Sequence, residues 1–265
     1  MPIPAATGGT DPVLPMAKGD CPMLVSGPVT VMGVALQMKV GTKSTTQKGP
    51  IMIYWHGTGG NAALALAELP ADATSEILAS GGLIASMESG GKGGAIDWGV
   101  FTQGDFEIVD QVVACAGQQL NVDPRRIYTS GSSAGGLAAG TLAVMRSSYV
   151  AATNPNSGGV APWPGNNVLS DPKHVPAALT MHGAMGVDQV VIDFGQASID
   201  LDNAIVAAGG FAVDCNHGGG HVAAPPDLKE AGWTFMKAHP FGTKPSPYAA
   251  GLPATFPNYC KIVTK

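Results

Sequence analysis

The chain has 265 residues, enough for one large domain or two small ones. Charged residues make up only 12%, against about 25% in an average domain. The formal net charge is −5 with no basic cluster, which gives nucleic acid no footing, and no apolar run approaches the ~20 residues of a membrane-spanning helix.

Residues 1–22 are rich in Pro and Gly and lack the basic and apolar regions of an export leader. They read as an irregular linker ahead of a single domain over 23–265, with Met1 taken as a start placed before a mature, exported sequence. Two β-prone runs, 29–32 and 34–40, break at Gly33 and predict an opening antiparallel pair. The unbroken apolar run 50–55 predicts a strand buried on both faces. It leads into His56-Gly57-Thr58-Gly59-Gly60-Asn61. Residues 62–69 predict a helix capped by Asn61, with a short helical continuation over 76–80. Residues 83–87 predict a short buried strand, and 90–104 a glycine-rich loop carrying Asp97 and Trp98. Asp105 is expected to cap a helix running to about Leu120, with Ile108, Val109, Val112, Val113 and Ala116 at helical spacing.

The apolar run 126–130 then meets Gly131-Ser132-Ser133-Ala134-Gly135, followed by a small-residue helical stretch over 136–144. A strand that turns into a helix through G-x-S-x-G projects one serine from the top of a sheet. The flanking glycines are required because a Cβ there would strike the neighbouring strand or helix. Ser133 is the central serine; Ser132 is its rival on paper, with a side chain expected to point into packing. A further strand is expected over 148–152, then a long loop over 153–176 with Trp163. Residues 175–181 predict a buried strand ending at His182-Gly183, with Asp188 just beyond. Residues 194–208 predict a helix, 210–215 a last strand, and 229–238 a C-terminal helix before a Pro-rich tail over 240–265.

A serine hydroxyl becomes a useful nucleophile when a neutral imidazole removes its proton and a carboxylate fixes that imidazole's tautomer. Asp188, past a strand end, is the expected acid; Asp193, Asp171 and Asp214 are its rivals. The loop Asn216-His217-Gly218-Gly219-Gly220-His221 supplies the base, expected to be His221, with His217 shaping the loop. Backbone N–H groups of Thr58 or Gly59, together with Ala134, are the expected oxyanion donors. His56 and His182 each end a buried strand and are expected to bond a nearby carbonyl.

The pair His217/His221 resembles helical metal spacing. Three intervening glycines oppose a helix, and no H-E-x-x-H glutamate is present, so no metal is assigned. The run Gly90 to Gly94 lacks a phosphate-loop ending, so no nucleotide or other cofactor is assigned either. The four cysteines, Cys21, Cys115, Cys215 and Cys260, fit no zinc spacing and allow three disulfide pairings. With the low charge they point to an oxidising, secreted or periplasmic setting.

Strands alternating with helices predict a doubly wound, mostly parallel α/β sheet without a lid domain. With these blocks placed, the chain resembles α/β-hydrolases of the polyhydroxybutyrate-depolymerase and feruloyl-esterase type. The likeness runs over residues 49–239, through the 55–60 turn, Asp97-Trp98, 105–116, 122–128, 131–136, His182-Gly183 with Asp188, and Gly219-Gly220-His221 ahead of Trp233. It implies that Ser133, Asp188 and His221 form a triad, and it implies ester hydrolysis. The segment between the pair His182-Gly183 and the aspartate is about two residues longer than the resemblance leads one to expect, and no appended substrate-binding domain is seen. Short-chain, aryl or polyester-type esters are therefore the expected substrates, with Trp98, Trp163 and Met185 as candidate pocket residues. A serine peptidase of the same fold and a non-catalytic binding module are the alternatives.

Overall fold

The computed structural model describes residues 11–42, 44, 46–90, 100–161 and 168–265. Nine strands form one sheet in the order β1-β2-β4-β3-β5-β6-β7-β8-β9. β1 (Gly27–Val31) and β2 (Val34–Val40) form the expected antiparallel pair, and β2 pairs antiparallel with β4 (Leu83–Met87). From β4 through β3 (Gly49–Trp55), β5 (Val122–Ser132), β6 (Ala152–Asn156), β7 (Ala177–His182) and β8 (Ala212–Asn216) every pairing is parallel.

The composition of β3 explains its central place. Successive side chains of a strand face opposite ways, and a parallel sheet covers both faces, so both parities must be apolar. Ile51, Ile53 and Trp55 enter one core, with α3 (Asp105–Gln119), α4 (Ala134–Met145) and the start of α5 (Phe194–Ala207). Met52 and Tyr54 enter the other, with α1 (Ala62–Ala65), α2 (Ala71–Ala79) and α6 (Pro226–Ala238). The sheet is therefore wound on both faces, as expected. Asn61 caps α1 by accepting from the Leu64 N–H.

Three readings need correction. The sixth strand is not 148–152 but Ala152–Asn156, so the supposed loop over 153–176 begins as buried strand. Its polar residues are tolerated because they are bonded: Asn154 Nδ2 donates to the Leu179 carbonyl and Ser130 Oγ to the Asn154 carbonyl. The C-terminal tail carries a ninth strand, β9 (Cys260–Ile262), antiparallel to β8. Asp105 lies inside α3 rather than capping it, and its buried carboxylate accepts from the Gly90 and Thr102 N–H groups.

Two disulfides settle the pairing that the sequence left open, Cys21–Cys115 and Cys215–Cys260. The first fastens residues 11–22 onto α3. That segment is irregular, as read, but held in place: Lys18 N–H donates to Gln111 Oε1 and Leu24 N–H to Gln119 Oε1.

Candidate active site

The parallel strands deliver their C-terminal ends to one edge of the sheet, where β5 turns directly into α4. Ser133 sits at that turn with φ +58° and ψ −122°, in the left-handed half of backbone space that side chains avoid. The crowding around it explains the glycines. A Cβ on Gly131 would lie 2.6 Å from the carbonyl oxygens of Gly135 and Trp55, and one on Gly136 would lie 2.7 Å from that of Asn156. The Ser133 N–H donates to the Asn156 carbonyl at 2.9 Å, which ties the elbow to the end of β6.

Three side chains from three separate segments meet here. Ser133 Oγ lies 2.8 Å from His221 Nε2, and His221 Nδ1 lies 2.7 Å from Asp188 Oδ1. With the Nδ1–H donating to the carboxylate, Nε2 accepts from the serine hydroxyl. Asp188 is fully buried, yet each of its oxygens has a partner. Oδ2 accepts from the Gly183 N–H at 2.9 Å and from Ser157 Oγ at 2.8 Å. The Phe194 ring packs on the imidazole, centroids 4.5 Å apart.

The rivals are occupied elsewhere. Ser132 Oγ donates to Glu68 Oε2, which also accepts from Tyr54 Oη. Asp193 caps α5 through the Gln196 N–H, Asp171 accepts from the Lys173 N–H, and Asp214 pairs with His182. His217 Nδ1 accepts from the Gly219 N–H, and burial pushes that imidazole's pKa down.

His56 and His182 occupy matching places. Each ends a strand, each contacts the carbonyl of the glycine that follows through Nδ1, and each reaches a carboxylate through Nε2: Glu88 for His56, Asp214 for His182. Both partners of His182 are acceptors at 2.6 Å, so both ring nitrogens must donate. Burial opposes the charge, but the Asp214 carboxylate outweighs it and holds the His182 pKa above the ordinary histidine value. The same Gly183 whose carbonyl meets this ring gives its N–H to Asp188. The loop carrying Asp188 is further bonded to the loop carrying His221, Ala184 N–H to the Gly219 carbonyl.

At the end of β3 the turn after His56 brings Gly57 beside Ser133: a Cβ there would lie 3.5 Å from Ser133 Cβ. Thr58 and Gly59 follow on this turn, exposed, with Gly59 at φ +80°. Ala134 opens α4, so its N–H has no intrahelical acceptor. Among the described residues none of the Thr58, Gly59 and Ala134 N–H groups donates to any group. The N-terminus of α4 adds partial positive charge at the same point.

Trp98 and Trp163 lie outside the described residues. Met185 stands exposed on the loop that carries Asp188, 54% accessible, and Val187, Val190 and Val191 are exposed as well. Sequence reasoning missed Ser157 and Phe194. Ser157 sits in a run of Asn, Pro and Gly with φ +40°, a conformation with no sequence mark when the residue is not glycine.

No family model matches the chain, and no curated protein sequence matches it. Solved structures do resemble it. Native sOPH superposes with a TM-score of 0.66 at 16% identity, over 94% of this chain and 97% of the other. The substrate-bound FphF, a fluorophosphonate-binding serine hydrolase of Staphylococcus aureus, gives 0.53 at 13% identity, over 82% and 99%. Esterase PE8 gives 0.55 at 16% identity, over 76% and 98%. At these identities the likeness establishes the fold.

Proposed function

We propose that this chain, an α/β-hydrolase by fold, is a serine carboxylic-ester hydrolase that works through an acyl-enzyme. One observation carries the reading: the unbroken hydrogen-bonded line from Ser133 through His221 to the buried, fully satisfied Asp188. In this reading His221 Nε2 takes the Ser133 proton as Oγ attacks the ester carbonyl. Asp188 holds the tautomer and stabilises the imidazolium. In this reading the oxyanion that develops lies against the free N–H groups of Thr58 or Gly59, together with Ala134, where each donor is typically worth about 3 kcal/mol. The imidazolium then gives its proton to the departing alkoxide. Water, activated by the same imidazole, releases the acid and returns the proton to Ser133.

The names of FphF, a serine hydrolase, and of esterase PE8 support the same reaction class. For the substrate we infer short-chain, aryl or polyester-type esters, such as polyhydroxyalkanoate oligomers or feruloyl and acetyl groups. Trp98, Trp163 and Met185 are the proposed pocket residues. Among the described residues no helix stands between β6 and β7. An open cleft gains little from long acyl chains, whose binding needs about 0.8 kcal/mol of burial per CH₂. Two disulfides, and no helix long and apolar enough to cross a membrane among the described residues, fit a secreted or periplasmic enzyme.

The test is turnover of p-nitrophenyl esters against peptide anilides, with Ser133→Ala protein as blank. Ester hydrolysis with kcat/KM falling from C2–C4 to beyond about C10 is the expected result. Anilide cleavage would make the enzyme a peptidase. A steady rise toward C16 with interfacial activation would make it a lidded lipase.

A further inference from the structure

The turn that carries the Thr58 and Gly59 N–H groups is open to solvent. Thr58, Gly59, Gly60 and Asn61 are all exposed, and among the described residues a Cβ on Gly59 would meet nothing within 4 Å. Packing therefore does not hold the tip. Its backbone is also unusually free, with glycine at 57, 59 and 60. Donors to a developing oxyanion work only when they are fixed before the reaction. Here the restraint comes from hydrogen bonds where the turn begins and ends.

Those bonds converge on one carboxylate. Trp55 and Met87 are partners in the parallel pair β3–β4, so His56 and Glu88 leave the sheet side by side. Glu88 Oε1 lies 3.0 Å from His56 Nε2, at the start of the turn. Glu88 Oε2 accepts from the Ala62 N–H at 3.0 Å, just past its end. Between these points the Gly57 carbonyl meets His56 Nδ1 at 2.8 Å and accepts from the Gly60 N–H at 3.0 Å, which closes the turn onto the same ring. That ring is buried, with Phe101 packed on it at 4.9 Å between centroids.

We propose that Glu88 is a positioning residue for the reaction at Ser133: by gripping His56 and Ala62 at once, it fixes the exposed tip and so the direction of the Thr58 or Gly59 N–H. The proposal rests on the ester-hydrolase reading.

The grip is geometric, so two substitutions separate it from the charge. Glutamine at this position keeps both bonds. Its oxygen accepts from the Ala62 N–H, and its NH₂ donates to Nε2 of a neutral His56 whose Nδ1–H still meets the Gly57 carbonyl. Ala62→Pro instead leaves Glu88 in place and removes the N–H that it holds. Ala62 opens α1, where proline is well tolerated, and Asn61 before it is already extended at φ −152° and ψ 167°.

Glu88→Ala, Glu88→Gln and Ala62→Pro are compared with wild type by p-nitrophenyl acetate turnover, Tm and inhibition by a trifluoromethyl ketone. Ser133 Oγ adds to the carbonyl carbon of this inhibitor, the proton goes to His221, and the oxygen is left as an oxyanion. In Glu88→Ala and Ala62→Pro, kcat and kcat/KM should fall together by about 10- to 100-fold with KM little changed. The ketone should weaken by a similar factor, and Glu88→Gln should stay near wild type. Wild-type kcat in Glu88→Ala or in Ala62→Pro overturns the proposal. So does a Glu88→Gln protein as impaired as Glu88→Ala, which would make the charge the cause, or a rise in KM alone, which would put Glu88 against the substrate. These outcomes leave the ester-hydrolase reading standing. A wild-type protein that neither turns over the ester nor binds the ketone removes that reading, and the proposal with it.

Discussion

Ser157 donates its hydroxyl to Asp188 Oδ2 at 2.8 Å, from a backbone held at φ +40°, while the other oxygen of that carboxylate accepts from His221. A fully buried carboxylate is set in one orientation by the donors on its second oxygen. Ser157→Ala keeps the Cβ and removes one of two such donors. A hydrogen bond to a buried charge is worth about 1.5–3 kcal/mol. The expected result is a roughly 10- to 100-fold loss in kcat/KM with KM little changed. Full activity in Ser157→Ala would mean that the Gly183 N–H alone orients the acid.

Asp188→Asn should impair turnover far more, by roughly 10³-fold or more, because an amide can present the wrong hydrogen-bond sense to His221 Nδ1. Asp193 caps α5 and accepts from the Gly186 N–H. Asp193→Asn should therefore cost stability rather than chemistry, about 1 kcal/mol. Steady-state kinetics on both proteins decides the matter: a dead Asp193→Asn beside an active Asp188→Asn would exchange their roles.

The histidines give stability a pH dependence of two signs. His174 and His239 are pushed down to about 4 by burial. Their contribution is present above the unfolded value near 6.5 and is lost as pH falls from there toward 4, because only the unfolded chain binds the proton. His182 is shifted upward, so its contribution is complete below about 6.5 and is lost as pH rises through its raised value. Thermal unfolding of His174→Phe should fall less steeply than wild type between pH 6.5 and 4. In His182→Asn the stability conferred below pH 6.5 should disappear. An unchanged acid slope in His174→Phe would contradict this assignment.

The two disulfides close loops of 94 and 45 residues, which in the chain-entropy picture stabilises by about 4–5 kcal/mol each. Their effects on activity should differ. Cys21–Cys115 joins the N-terminal segment to α3, so Cys21→Ser/Cys115→Ser should lower Tm and leave kcat near wild type. Cys215 lies on β8, which runs directly into the loop carrying His221, so Cys215→Ser/Cys260→Ser should lower both. Equal kcat in the two variants would show that the His221 loop is held without the β8–β9 bond.

Much of this architecture was legible because steric and burial rules act locally. The run 50–55 is apolar at both parities because β3 is covered on both faces, and Gly131, Gly135 and Gly136 mark a turn that no Cβ permits. His56 and His182 were legible as strand ends facing a carbonyl. β6 was not, since Thr153, Asn154, Pro155 and Asn156 look like a loop, and only pairing on both sides by β5 and β7 makes them strand. β9 is three residues long and exists through its partner β8. The disulfide pairing and the part of Ser157 depend on which segments the finished sheet brings together, and no local pattern carries that information.

In the proposed mechanism everything turns on Ser133, held by His221, being the nucleophile. It is tested most directly by treating the wild-type protein, Ser133→Ala and Ser132→Ala with a fluorophosphonate and mapping the modified residue by mass spectrometry, with p-nitrophenyl acetate turnover measured alongside. One adduct is expected, on Ser133, in the wild type and in Ser132→Ala. Ser133→Ala should give no adduct, with turnover reduced to the background. An adduct on Ser132, or undiminished turnover in Ser133→Ala, would contradict it.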